Sequence, residues 1–127
     1  MSSTPPPRYL LPWGVAVVRG RSMEPTLREG DRLLVRWVGP RLRSRLRRSG
    51  PGQAKVVGRL AVVLLPGGRP LSVKRITRRL PEGWWVERDN PETGTDSWLV
   101  GAIAPDDVRG LVVCRLRPRP FRLGRRT

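Results

Sequence analysis

Fourteen prolines and fourteen glycines are scattered along 127 residues. Proline removes a helical hydrogen bond and glycine weakens a helix interior, so a chain punctuated this often does not sustain long helices. It must be assembled from short elements joined by turns. At a length that fits one domain with one core, this points to a single-domain, mainly β fold. Trp13 to Arg19, Arg32 to Val38, Val56 to Leu65, Pro70 to Leu80 and Val108 to Leu116 read as strands. The third and fourth form a hairpin over Pro66-Gly67-Gly68, and Trp84 to Glu87 follows the Pro81-Glu82-Gly83 turn. Residues 1–8 read as a disordered tail, 9–118 as the folded domain and 119–127 as a basic C-terminal tail. Within the domain, 40–55 reads as a basic loop. Leu42 and Leu46 share one helical face there, so a short frayed helix stays open.

The formal charge of +16 implies attraction to something acidic: nucleic acid, an anionic membrane surface or an acidic protein. Five tryptophans accompany that charge, but core packing and strand edges account for such a number in a β domain. No nucleic-acid motif is present, so no specific nucleic-acid partner is expected. No segment approaches the roughly 20 apolar residues that span a bilayer. The run from Tyr9 to Val18 is short, contains Pro12 and Gly14, and lacks a preceding positive cluster. Neither a transmembrane helix nor a secretory signal is expected. The expected location is cytoplasmic, with peripheral contact to an anionic membrane left open. Cys114 is the sole cysteine, which rules out an intramolecular disulfide; in Leu111-Val112-Val113-Cys114 it reads as a core thiol. With no histidine and scattered carboxylates, the ligands of a structural zinc site are lacking, and no cofactor is expected.

The same lack of histidine removes every Ser-His-Asp and Cys-His arrangement, so a catalytic serine needs another base. All but two of the 26 basic residues are arginine; the lysines are Lys55 and Lys74. Arginine stays charged, whereas a desolvated lysine can be neutral and accept a proton. Lys74 sits in the apolar setting Leu71-Ser72-Val73-Lys74-Arg75-Ile76. Ser22 lies in Gly20-Arg21-Ser22-Met23-Glu24-Pro25-Thr26-Leu27, where one helical turn would aim backbone N–H groups at a developing negative charge. A serine before a short helix is usually an N-cap, and a lysine in a strand usually faces solvent. The two candidates gain weight only as a pair, Ser22 as nucleophile and Lys74 as general base.

These segments and their order resemble the signal peptidase I family of serine-lysine peptidases. The stretch from Gly20 to Leu27, followed by Gly30-Asp31 and Leu33-Leu34-Val35, matches the family's nucleophile segment, with Met23 beside the serine. Gly58-Arg59-Leu60-Ala61-Val62-Val63 is similar to the next segment, with Arg59 where an aspartate is usual. Val73-Lys74-Arg75-Ile76 matches the general-base segment. Asp89-Asn90, Asp96-Ser97 and Gly101-Ala102-Ile103 resemble the last. The resemblance implies coiled antiparallel sheets of the signal peptidase type with short helical turns. It implies a substrate bound as an extended peptide and an oxyanion held by the Ser22 N–H. Gly20 stands where some members carry a second oxyanion donor. Gly94 stands where many use a serine to orient the lysine, which leaves Ser97 or Thr95 to replace it. Trp98 stands in place of an arginine that pairs with the aspartate matched by Asp96, so an Asp96–Arg75 ion pair is expected. The short, arginine-rich form with Gly83-Trp84-Trp85 is similar to the maturation proteases of nickel-type superoxide dismutase, which remove an N-terminal extension from a precursor protein.

Overall fold

The structure, a computed structural model, describes residues 12–48 and 55–123. The tail at 1–8, and parts of the 40–55 and 119–127 segments, lie outside the described residues. Seven strands form one open antiparallel sheet: β1 (Trp13–Val17), β2 (Arg32–Trp37), β3 (Leu60–Leu64), β4 (Leu71–Leu80), β5 (Gly83–Glu87), β6 (Val108–Arg117) and β7 (Phe121–Arg122). Their order is β1-β2-β6-β3-β4-β5, with β7 also on β6. Among the described residues two short α-helices, α1 (Pro40–Arg47) and α2 (Ser97–Val100), and one 3-10 turn (Pro105–Asp107) accompany them. Among the described residues no helix is long and apolar enough to cross a membrane.

The unbroken apolar run in β3 explains its central place. Successive strand residues point to opposite faces, so a strand covered on both sides has no polar positions. Ala61 and Val63 join one buried cluster with Leu46, Ile76, Trp84 and Val86. Leu60 and Val62 join the other, with Met23, Leu27, Leu33 and Val112. The β3–β4 hairpin pairs Leu60 with Arg75 and Leu64 with Leu71, and the ladder continues outward as Gly58 donates to the Ile76 carbonyl at 2.6 Å.

Of the loop and the short helix left open for the basic segment after β2, its first half takes the helix. Residues 40–47 are helical because Pro40 occupies the first turn and Leu46, 1% exposed, closes one apolar cluster with Leu42 packed beside it. Arg79 of β4 reaches the free carbonyls at the helix end, donating to Arg47 O at 3.0 Å and Arg48 O at 3.3 Å. Tertiary burial of two leucines thus overrides the charge repulsion of the arginine run. The basic tail is also shorter than expected: β7 pairs Phe121 with Arg115, and Leu123 is buried in a core cluster. Cys114 lies in β6 as expected but is only half-buried.

Candidate active site

The connection from β1 to β2 carries Ser22 and is closed on itself. Val18 donates to the Asp31 carbonyl and Gly30 to the Val18 carbonyl, both at 2.9 Å, while the Asp31 carboxylate accepts from Arg28 N. Met23 and Leu27, both fully buried, pin the turn to the core. The expected helical turn is not formed: Ser22 to Leu27 is a series of turns closed by Glu24 N to Arg21 O at 3.2 Å and Leu27 N to Met23 O at 2.9 Å. Any anion site at Ser22 therefore rests on individual N–H groups. The Ser22 N–H donates to no acceptor among the described residues, whereas the Gly20 N–H faces Glu29 Oε1 at 3.3 Å.

Asp89 and Asn90, just past β5, hold this segment from outside. Asn90 N donates to Ser22 O and Asn90 Nδ2 to Arg21 O, each at 2.9 Å. The two carbonyls flanking the serine peptide unit are thereby fixed. Asp89 accepts from Thr26 Oγ1 at 2.6 Å and from Arg75 through two nitrogens, Nε at 3.0 Å and Nη2 at 2.8 Å. Arg75 also donates through Nη1 to Gly58 O at 2.7 Å. One buried arginine thus ties β4 to the clamp on the serine segment.

Strand alternation sends Lys74 to the face opposite Arg75. There its Nζ lies 2.8 Å from Ser22 Oγ, across 52 positions of chain. Lys74 is 3% exposed, and burial pushes its pKa below the ordinary lysine value; the Asp96 charge opposes the shift and Arg88 adds to it. The serine and lysine expected to work together are therefore in direct contact.

Two expectations for the surroundings are overturned. Asp96 does not pair with Arg75, whose three donor nitrogens all face Asp89 and Gly58 on the other side of β4. Asp96 instead pairs with Arg88 at 3.3 Å, accepts from Arg88 N and caps α2 by accepting from Trp98 N, both at 3.1 Å. Ser97 does not orient the lysine: it is buried and its Oγ accepts from Val86 N at 2.9 Å. Neither Ser97 nor Thr95 hydrogen-bonds to Lys74 among the described residues. Gly94 has a direct structural reason. Its φ is +105°, and a Cβ there would lie 2.4 Å from Ser22 Cβ, so this position admits no side chain. Thr26 and Arg88 are participants that the sequence did not reveal, because their partners Asp89 and Asp96 come from distant or looped segments.

Ser22 and Lys74 line a cleft of about 510 Å³. One wall is Val15 to Met23 and the other is Arg69 to Lys74, with Thr93 to Thr95 closing the end. Among the described residues both strands bordering it have a free edge: β1 pairs only with β2, and Leu71 to Lys74 pair with β3 while β5 begins its pairing at Arg75. Such edges accept an extended peptide through main-chain hydrogen bonds. Compared with protein-family models and with curated proteins, the chain matches none.

Proposed function

We propose that this protein is a serine endopeptidase that uses a Ser22–Lys74 dyad to remove an N-terminal extension from a precursor protein. The observation that carries the reading is the 2.8 Å approach of a buried amine to a hydroxyl at the wall of a cleft flanked by free strand edges. A neutral Lys74 accepts the Ser22 proton as Oγ attacks the scissile carbonyl. The tetrahedral oxyanion receives the Ser22 N–H, whose peptide plane Asn90 holds in place. Lys74, now protonated, returns its proton to the leaving amine. Water then attacks the acyl-serine with Lys74 again as base. The resemblance noted above favours a precursor of nickel-type superoxide dismutase as the substrate.

A second reading is signal peptidase-like trimming of exported proteins at a membrane surface. It draws on α1, which turns its leucines inward and leaves Arg41 and Arg43 exposed toward anionic groups. The test is processing of the dismutase precursor and of a signal-peptide substrate in vesicles, each by the wild type, Ser22→Ala and Lys74→Ala. The first reading expects cleavage of the soluble precursor and a loss of more than about a thousandfold in both variants. Cleavage of the vesicle substrate alone supports the second. Full processing by both variants refutes the dyad, and no processing of either substrate by the wild type leaves a non-enzymatic basic binding module as the reading.

A further inference from the structure

The cleft carries three arginines and no carboxylate. Arg19 and Arg21 stand on the wall that leads from β1 to Ser22 and Arg69 stands on the facing wall, which ends at Lys74; no Asp or Glu is among the lining residues. Arg47, Arg75 and Arg88 are each held by a carboxylate, of Asp106, Asp89 and Asp96 respectively. The cleft arginines are held less firmly. Arg19 is exposed and makes no ion pair among the described residues. Arg69 donates to a neutral acceptor, the Pro66 carbonyl. Arg21 pairs with Glu24 at 3.1 Å, but its side chain is 71% exposed and that pair is open to exchange. Apolar walls from Val15, Val17 and Leu71 lie beside these charges, and a low-dielectric groove of one sign concentrates counter-charge.

Resting on the protease reading, we infer that this cleft selects extended peptides in which acidic side chains flank an apolar stretch, with Arg19, Arg21 and Arg69 as specificity-determining residues. The apolar stretch lies along the Val and Leu walls, and the flanking carboxylates meet guanidiniums at the rim. The three arginines act on recognition, at a distance from the bond-breaking atoms.

The experiment uses three fluorescein-labelled peptides with one apolar centre and Glu, Gln or Lys flanks. Their cleavage by the full chain is followed as kcat/KM, and their binding to Ser22→Ala by anisotropy. Exposed ion pairs change affinity by a few-fold each, so the Glu peptide should exceed the Gln peptide by about tenfold. The advantage should shrink when salt rises from about 0.02 M to about 0.5 M. Arg19→Gln and Arg69→Gln should each reduce it about two- to threefold. Arg41→Gln and Arg43→Gln on α1 serve as controls for the overall charge and should leave the ratio unchanged. Equal handling of the Glu and Gln peptides overturns the inference. So does an effect of the α1 variants equal to that of the cleft variants. Failure of the wild type to cleave any peptide counts against the protease reading, while the binding arm still decides whether the cleft prefers acidic chains.

Discussion

In the proposed mechanism Lys74 is the residue on which the chemistry turns, and its burial has two consequences of the same sign. A lysine whose folded pKa is depressed is neutral above that value, so kcat/KM should rise with pH through it and then level. Between that value and the ordinary one near 10.4 the unfolded chain binds the extra proton, so folding stability should also rise with pH across the window. A flat rate from acid to alkaline pH contradicts the first. Replacing Lys74 by Met removes the cost of desolvating an amine, so urea unfolding should find the variant at least as stable as the wild type while its activity is gone. Gly94 offers a paired test. Gly94→Ala combines left-handed backbone with a 2.4 Å approach to Ser22 Cβ, whereas Gly101→Ala shares the positive φ (+85°) with nothing within 4 Å. Both should lose about 1 kcal/mol from backbone strain, but only Gly94→Ala should also lose activity. Ser22 and Lys74 were legible in the sequence because histidine is absent and lysine is rare. The packing of Gly94 on the serine was not, because it depends on how two remote loops meet.

Among elements, the clamp past β5 and helix α1 carry the sharpest expectations. Asp89 and Arg75 have side chains only 5% and 10% exposed, and removing one member of a buried pair strands the other. Asp89→Ala should therefore cost about 3 kcal/mol in urea unfolding. Asn90→Ala should cost far less stability yet lower kcat, because the Arg21 and Ser22 carbonyls lose their donors; an unchanged kcat contradicts this role. Leu46→Ala should destabilise by about 2–5 kcal/mol, since the side chain is 1% exposed in a packed cluster. A loss below about 0.5 kcal/mol would mean α1 is a surface appendage. The strands were readable from their apolar runs and the turns between them. Helix α1 was legible only as an alternative to a loop, because its two inward leucines matter only once Trp84 and Ile76 are there to receive them. The ion-pair partners were misread for a related reason: adjacent strand residues face opposite ways, so Arg75 and Lys74 serve different sides of β4.

At the scale of the molecule, the sheet order brings the two ends of the site together. With β3 central, β1 and the start of β4 border one cleft, although the chain between them passes through β2 and α1 first. A mainly β fold was within reach of the sequence; one open sheet in place of the coiled sheets that the resemblance implied, and the order of its strands, were not, since these are set by which apolar faces need cover. The scarcity of lysine makes the central claim directly measurable. With lysine the sole labelled residue type, a ¹³Cε NMR spectrum contains signals from Lys55 and Lys74 only, and Lys55→Arg assigns them. Followed against pH, Lys74 is expected to titrate clearly below the ordinary lysine value, and to move toward that value when Ser22-side packing is opened by Met23→Ala. Titration of Lys74 at the ordinary lysine value in the wild type would show that it stays charged beside Ser22, and would contradict its role as the base.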